Sequence, residues 1–308
     1  MNSIKGAIKS LAGSLLACAA MLTLAAVPAS AGPIAVSACG TLNGNNVVYQ
    51  LSANITTATT GDCLILRGNH SALDLFGFTV TGPGASSHGS GIKVKGDNDL
   101  IEGLNGFVEG FKYGATDEGN STVGDEINLD YDHTGLRLNG HTDSWNNMET
   151  AWSTTDGVVI EYCSDDCSVS DVFTHDNGGN GVTVTGSNGT RVLLFTATSN
   201  GGDGIHVGCM HFYCRDSGVK VTDGYAGIGD ASDPFGPNSV DGVVLDSSES
   251  RSRDQVSVVQ ATGNTIDLFD LTSNCGANPF NLWFDNLYDT SKAGSTTSPA
   301  CILPTLTL

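Results

Sequence analysis

The sequence predicts a single-stranded, right-handed parallel β-helix, and three observations support this prediction. A short phrase with the pattern glycine, apolar, variable, apolar returns along most of the chain at nearly constant intervals, which indicates stacked supersecondary units. Each copy alternates apolar and variable residues, as is typical of a strand with one buried face. Helix signals are nearly absent, and the 40 glycines among 308 residues disfavour helices.

Eight copies of the phrase define the coils. They begin at Gly91, Gly114, Gly135, Gly157, Gly181, Gly204, Gly242 and Thr265. The successive intervals are 23, 21, 22, 24, 23, 38 and 23 residues, so only one departs far from the rest. A coil of roughly 22–23 residues favours a β-helix, because a propeller blade needs about 40 residues and a leucine-rich repeat has a helical half. Nine or ten coils spaced by about 4.8 Å predict a rod of about 45 Å.

A second set of segments runs beside the phrases and predicts a polar column. Residues 167–177, 190–200 and 254–264 alternate apolar residues, and each segment ends in asparagine. We therefore expect Asn177, Asn200 and Asn264 to stack on neighbouring coils as a side-chain ladder.

Residues 1–31 have the features of a secretory signal peptide. Lys5 and Lys9 are followed by an apolar run from Leu11 to Val27 and by small residues for cleavage at 29–31. A lipoprotein signal ending at Cys18 is the alternative. We expect the β-helix domain to comprise residues 32–308 and to be secreted, to the periplasm or beyond. No later segment is apolar enough to span a membrane.

Charge and cysteine content both fit an exported protein. Without Lys5 and Lys9, the predicted mature chain has 11 cationic and 33 acidic side chains, a formal charge of −22. This charge disfavours nucleic acid as a partner, because its binding needs clustered Lys and Arg. An even number of cysteines predicts disulfides. They fall into four local pairs: Cys39 with Cys63, Cys163 with Cys167, Cys209 with Cys214, and Cys275 with Cys301.

Motifs at both ends of the predicted mature chain carry a family resemblance. They are Cys39-Gly40 with Cys63, the phrase LDLFGFTVTG at 73–82, and NLWFDN at 281–286 followed by Cys301. With these motifs the chain resembles the secreted β-helix proteins of the pectate-lyase-like superfamily, and within it a largely uncharacterised bacterial group. The resemblance implies the fold and a polysaccharide partner, since characterised members are mostly polysaccharide lyases, glycoside hydrolases and uronate epimerases. Other members are adhesins and tailspikes, so the fold does not choose an activity.

The leading hypothesis is recognition of acidic extracellular or cell-envelope glycans, with lyase or epimerase activity on a uronate. A non-catalytic structural or adhesive protein is the first alternative, and a glycoside hydrolase with paired carboxylates is the second. The sequence does not indicate an oligomeric state.

The candidate site residues come from the variable, outward-facing positions of the phrases, from one dense cluster, and from the insertion within the 38-residue interval, which is expected to line the binding face and contains Tyr225. His133, Arg137 and His206 are the candidate catalytic groups, because a uronate enzyme must neutralise a carboxylate and move a proton. Arg137 and His206 are expected to lie three coils apart, about 14 Å, which weakens their pairing. His133 and Arg137 belong to a cluster that spans Asp130 to Asp143. Candidate substrate-binding residues are Lys93, Lys95, Asn139, Glu161 and Tyr225.

The coil with the 38-residue interval contains residues for two possible metal sites. Asp223, Asp230 and Asp233 form the candidate calcium site, although no EF-hand pattern is present. His206, Cys209, His211 and Cys214 have a zinc-like spacing, but the two cysteines are equally suited to a disulfide in an exported protein. No other cofactor is indicated. The segment His175-Asp176-Asn177 is interpreted as a turn beside the asparagine column.

Overall fold

The computed structural model describes residues 32–208, 218–227, 236–246, 253–271, 281–288 and 291–293. The signal-peptide prediction for residues 1–31 and the pairings of Cys209 with Cys214 and Cys275 with Cys301 lie outside these residues. No helix occurs in the described ranges, so no helix there can span a membrane. All strand pairs join parallel neighbours in two sheets.

Sheet 1 contains eleven strands, one from each coil, and includes the repeated phrases. Its strands are β2 (Gly40–Leu42), β5 (Leu64–Leu66), β8 (Ser90–Val94), β10 (Tyr113–Asp117), β12 (Thr134–Leu138), β14 (Val158–Glu161), β16 (Val182–Thr185), β18 (Ile205–Gly208), β20 (Asp241–Asp246), β22 (Ile266–Asp270) and β25 (Ser291–Ala293). Val182 pairs with Ile205, so the copies at 181 and 204 lie one above the other.

In the described residues, sheet 2 contains fourteen strands, one or two between successive strands of sheet 1. They are β1 (Ile34–Val36), β3 (Val48–Leu51), β4 (Ile55–Thr56), β6 (Ala72–Asp74), β7 (Thr79–Thr81), β9 (Leu100–Glu109), β11 (Val123–Asp130), β13 (Ser144–Ala151), β15 (Ser168–His175), β17 (Arg191–Thr198), β19 (Lys220–Gly227), β21 (Gln255–Thr262), β23 (Leu282–Phe284) and β24 (Leu287–Tyr288). Two parallel sheets wound from alternating strands form a β-solenoid, and the predicted right-handed parallel β-helix is confirmed.

The long strands of sheet 2 bend sharply at their fourth residue. That residue has a positive φ in every eight-residue strand from β11 to β21: Glu126, Asn147, Asp171, Leu194, Asp223 and Val258. Left-handed backbone is costly for residues other than glycine. The same bend is stacked in successive coils, so the residues before and after it keep their hydrogen bonds to the neighbouring strands. These hydrogen bonds offset the cost.

The interior of the solenoid is apolar, with aliphatic residues stacked along both sheets. Leu136, Val158, Val182 and Ile205 are fully buried at equivalent positions of four coils. The first residue of seven of the eight phrases is glycine, because the neighbouring coil leaves no room for a side chain there. A Cβ on Gly181 would lie 2.6 Å from the carbonyl oxygen of Gly204.

An asparagine ladder closes one interior corner, between sheet 2 and the following strand of sheet 1. The Nδ2 of Asn177 donates to Asn200 at 3.0 Å, Asn200 donates to Asn238 at 3.0 Å, and Asn238 donates to Asn264 at 3.2 Å. The sequence prediction placed Asn200 and Asn264 next to each other. Asn238 stands between them because the long coil contributes a rung of its own.

Buried carboxyl groups line the interior near the opposite corner. Burial, with the nearby charge of Asp117, raises the pKa of Asp143 to about 8. Burial raises the pKa of Asp99 to about 6. Asp117 accepts a hydrogen bond from the indole of Trp145 at 3.0 Å, and its pKa is also raised by burial. Burial therefore makes all three carboxyl groups harder to ionise than a free aspartate.

Two of the four predicted disulfides lie in the described residues and are confirmed. Cys39–Cys63 joins neighbouring coils at the amino-terminal end, where Gly40 also donates to the carbonyl of Cys63. Cys163–Cys167 closes a corner between the two sheets.

Candidate functional site

The variable positions of the phrases form one column on the outer face of sheet 1. Its members are Lys93, Thr116, Arg137, Val159, Thr183, His206 and Val244, each paired with the next. The column is only partly accessible, because Thr116, Thr183 and Val244 are buried. The face therefore presents separate polar groups rather than a continuous groove of free side chains.

The lysines of this face are paired with carboxylates of adjacent coils. Lys93 Nζ lies 2.8 Å from Glu118 Oε1 and 3.8 Å from Asp62 Oδ2, and Lys95 Nζ lies 3.4 Å from Glu118 Oε2. Burial tends to raise the pKa of Glu118, but its hydrogen bond to Lys93 and the charges of both lysines hold the pKa below its usual range. Both candidate substrate-binding lysines are thus already engaged.

Arg137 and Glu161 form an ion pair between neighbouring coils. Nε of Arg137 donates to Glu161 Oε1 at 2.5 Å, and Nη2 contacts the same oxygen. The guanidinium also lies 5.2 Å from the ring centroid of Tyr113. Asn139 lies directly after β12 and is half-buried. Its backbone N–H donates to the carbonyl oxygen of Asp117. Two more candidate residues therefore bind each other, and neither is a free charge.

The three candidate catalytic residues do not meet. Val159 and Thr183 separate Arg137 from His206, so the two lie three coils apart, about 14 Å. His133 lies in the corner before β12, where its Nδ1 is 2.7 Å from the hydroxyl of Thr154.

His206 is held by an acidic residue of its own coil. Its Nδ1 lies 2.8 Å from Asp203 Oδ2. Burial lowers the pKa of His206, but the hydrogen bond and charge of Asp203 outweigh burial and raise it. Asp203 therefore stabilises the protonated form of His206. Cys209, His211 and Cys214, the other members of the zinc-like set, lie outside the described residues.

Tyr225 and Asp223 lie in β19 of sheet 2, not on the face of sheet 1. They line an open cleft of about 380 Å³ together with Gln260, Asp285 and Leu287. Asp230 and Asp233, the other candidate calcium ligands, lie outside the described residues. Within the described ranges, no three His, Cys, Asp or Glu side chains are arranged to hold a metal ion.

The dense cluster from Asp130 to Asp143 is distributed around one coil. Asp132 and Asp143 are fully buried, and Arg137 faces outward from sheet 1. His141 lies in the next corner, where it contacts the hydroxyl of Ser164. Residues close in sequence therefore reach different faces, and only Asp130 and Tyr131 join the site that follows.

An exposed pair of aromatic side chains, which we call the aromatic ledge, stands on the corner between sheet 2 and sheet 1. Tyr131 and Trp152 follow β11 and β13 at equivalent positions, and both have a positive φ. Their rings stack with centroids 5.0 Å apart and planes 13° from parallel. Tyr131 is 55% exposed and Trp152 is 43% exposed. The preceding coil has Gly110 at this position, so no side chain there covers the outer face of Tyr131.

His175 supports the ledge from the next coil. Its ring meets that of Trp152 edge-on at 5.3 Å and lies 4.4 Å from that of Phe173. The imidazole is almost fully buried and is held at both nitrogens by carboxylates, with Glu149 at 2.8 Å from Nε2 and Asp176 at 2.9 Å from Nδ1. Trp152 is therefore fixed in place on the surface.

Two exposed carboxylates, Glu149 and Asp176, form an acidic rim beside the ledge, and the buried carboxyl group of Asp130 lies directly before Tyr131 in the chain. Burial, with the nearby charge of Glu149, raises the pKa of Asp130 to about 6. Asp130 also accepts a hydrogen bond from the backbone of Ala151 at 3.2 Å. A rigid aromatic surface beside carboxylates can pack against the apolar face of a sugar ring and bond its hydroxyls.

The sequence analysis did not identify Trp152 or Glu149 as site residues. A usable signal was present: aligning the residue after each long strand of sheet 2 places Gly110, Tyr131, Trp152, Asp176 and Ser199 in one column. Two consecutive aromatic residues at a solvent-facing corner are uncommon in such an alignment and indicate a surface feature.

The fold is similar to that of phage tailspike proteins. The Dettilon tailspike protein has a TM-score of 0.63 and 13% sequence identity, and the match covers 84% of this chain and 54% of the tailspike. The enzymatically active domain of bacteriophage CBA120 tailspike protein 2 has a TM-score of 0.52 and 13% identity, with 82% and 42% covered. A pectate lyase, Pel9A, matches more weakly, with a TM-score of 0.49.

The chain thus spans about half the length of the two tailspike structures. Identities this low establish the shared β-helix fold alone. No family model and no curated protein matches the sequence.

Proposed function

We propose that this protein is an exported β-helix protein that binds polysaccharide at the aromatic ledge. The observation that carries the proposal is the stacked pair of Tyr131 and Trp152, which is exposed yet held rigid by His175. Two rigid aromatic side chains exposed side by side suit contact with the apolar face of a sugar ring. The two tailspikes with the same fold, and the resemblance to polysaccharide-acting β-helix proteins, support a glycan as that partner.

Export is part of the proposal. The basic and apolar pattern of residues 1–31 supports it. Disulfides Cys39–Cys63 and Cys163–Cys167 add to this support, because such bonds persist in oxidising compartments.

Lyase or epimerase activity on a uronate has less support than binding. Arg137 is paired with Glu161, and His206 is paired with Asp203 three coils away. Neutralising a substrate carboxylate would require breaking one of these pairs. The catalytic roles of His133, Arg137 and His206 stay predictions.

Affinity gel electrophoresis against a panel of neutral and acidic polysaccharides tests the proposal. Covering one ring face removes roughly 50–100 Å² of apolar surface from water, about 1.5–2.5 kcal/mol or ten- to seventyfold in affinity. We therefore expect Trp152→Ala to weaken retardation at least tenfold on the polymers that bind.

Tyr162→Ala is the matched control, because Tyr162 is also an exposed aromatic residue with positive φ but lies on the opposite corner of sheet 1. The affinity of the Tyr162→Ala variant for polysaccharide should stay within twofold of the affinity of the parent protein. Retardation by none of the polymers rejects polysaccharide binding. Binding that survives Trp152→Ala but is lost in Tyr162→Ala or Lys93→Ala moves the site to the face of sheet 1.

A further inference from the structure

The aromatic ledge is surrounded by negative charge. Glu149 and Asp176 flank His175, and Asp130 lies directly before Tyr131 in the chain. Both ring nitrogens of His175 are already occupied by these carboxylates, so the imidazole has no donor left for a ligand. A bound sugar at the ledge therefore meets acceptors, which suit hydroxyl groups and repel carboxylates.

Four cations of the described outer surface are already paired with carboxylates. Lys93 and Lys95 are held by Glu118, and Arg137 is held by Glu161. Arg191, in β17 of sheet 2, faces Asp166 at 3.6 Å. A uronate that recruited one of these side chains would leave a carboxylate of the protein unpaired in its place.

The charge of the whole chain acts in the same direction. The sequence carries 33 acidic and 13 basic residues. A field of this sign slows the approach of polyanions, and the effect weakens as salt is added.

We propose that the aromatic ledge selects neutral polysaccharides and discriminates against uronate polymers. The stacked rings provide the contact with the sugar, and the acidic rim accepts hydrogen bonds from its hydroxyls. The sequence-based expectation of an acidic glycan is thereby replaced by a neutral one. This inference rests on the proposed function, since it assigns a substrate class to the same site.

Pairs of polymers that share a backbone and differ in charge test the inference. Hydroxyethyl cellulose is compared with carboxymethyl cellulose, and fully methyl-esterified homogalacturonan with its de-esterified form. The neutral member of each pair should bind at least tenfold more tightly in 20 mM salt. The difference should shrink in 500 mM salt, because only the anionic polymer is repelled.

Two variants that each remove one negative charge test whether the acidic rim causes the weaker binding of anionic polymers. Glu149→Gln keeps an oxygen for His175 and should strengthen binding of the anionic polymer at least threefold relative to binding of the neutral polymer. Asp285→Asn removes one exposed carboxylate from the last described coils and should leave both affinities within twofold.

The outcomes separate this inference from the proposed function. Equal or tighter binding of the anionic polymers, or a uronate polymer as the best-bound member of the panel, overturns the neutral specificity and leaves polysaccharide binding intact. An equal gain from Asp285→Asn overturns the role of the acidic rim. Failure of all polymers to bind removes the proposed function and the inference with it.

Discussion

Replacing Asn200 with alanine is expected to destabilise the protein strongly, because this side chain is the central rung of the asparagine ladder. Its Nδ2 donates to Asn238 Oδ1 at 3.0 Å and to the carbonyl of Thr174 at 3.2 Å. Its Oδ1 accepts from Asn177 Nδ2 at 3.0 Å and from the Asn177 backbone at 3.3 Å. The side chain is fully buried, so water does not replace these partners.

The magnitude follows from these four hydrogen bonds. Each contributes about 1 kcal/mol, and buried partners left unsatisfied add to the loss. Asn200→Ala should therefore lower the free energy of unfolding by about 4 kcal/mol. Equilibrium urea unfolding, followed by circular dichroism, measures this as a lower transition midpoint.

Asn128→Ala is the matched control, because Asn128 is a half-buried asparagine on the outer face of sheet 2. Its loss should stay within about 0.5 kcal/mol. Combining Asn200→Ala with Asn177→Ala should cost less than the sum of the two single changes, since both remove the hydrogen bond between the two side chains. A loss below about 1 kcal/mol for Asn200→Ala, or strict additivity, would refute the reasoning.

Two further predictions concern the interior. Gly124→Ala should cost about 1–3 kcal/mol in the same unfolding assay, because its Cβ would lie 2.3 Å from ring atoms of Trp145, whereas Gly40→Ala meets nothing within 4 Å and should be neutral. Asp143 and Asp99 have raised pKa values of about 8 and about 6, so the folded state binds their protons more tightly than the unfolded chain. Their contribution to stability is full below pH of about 4 and is lost as the pH rises through these values. The melting temperature should therefore fall between pH 5 and pH 8.5, and Asp143→Asn should flatten this profile; a profile unchanged by Asp143→Asn contradicts the assignment.

The sequence was sufficient to predict the β-helix because a stacked coil repeats its constraints. Seven of the eight phrases have a glycine under the next coil, and all have apolar residues facing inward, so the period is visible without an alignment. The asparagine ladder was predictable for the same reason. Asn238 was missed because it belongs to the long coil, whose extra residues shift the rung out of the regular spacing.

Whether the cations on the outer face of sheet 1 are paired with carboxylates was harder to predict. Single residues on sheet 1, such as Lys93 and Arg137, suggested a site for an acidic sugar. Their partners Glu118 and Glu161 follow about one coil later, 25 and 24 residues along the chain. Whether such residues meet depends on register and on which face each occupies, and both follow from the pairing of strands rather than from composition.

The aromatic ledge shows why a solenoid can vary a surface site without disturbing its core. Tyr131 and Trp152 occupy a corner position that uses left-handed backbone in successive coils, and the ladder bonds on either side hold that backbone in place. The inward positions stay apolar whichever side chain stands at the corner, so glycine, tyrosine, tryptophan and aspartate occupy equivalent places in four consecutive coils. Binding specificity at this corner is therefore decoupled from folding, and substitutions such as Trp152→Ala should change affinity while leaving the unfolding midpoint nearly unchanged.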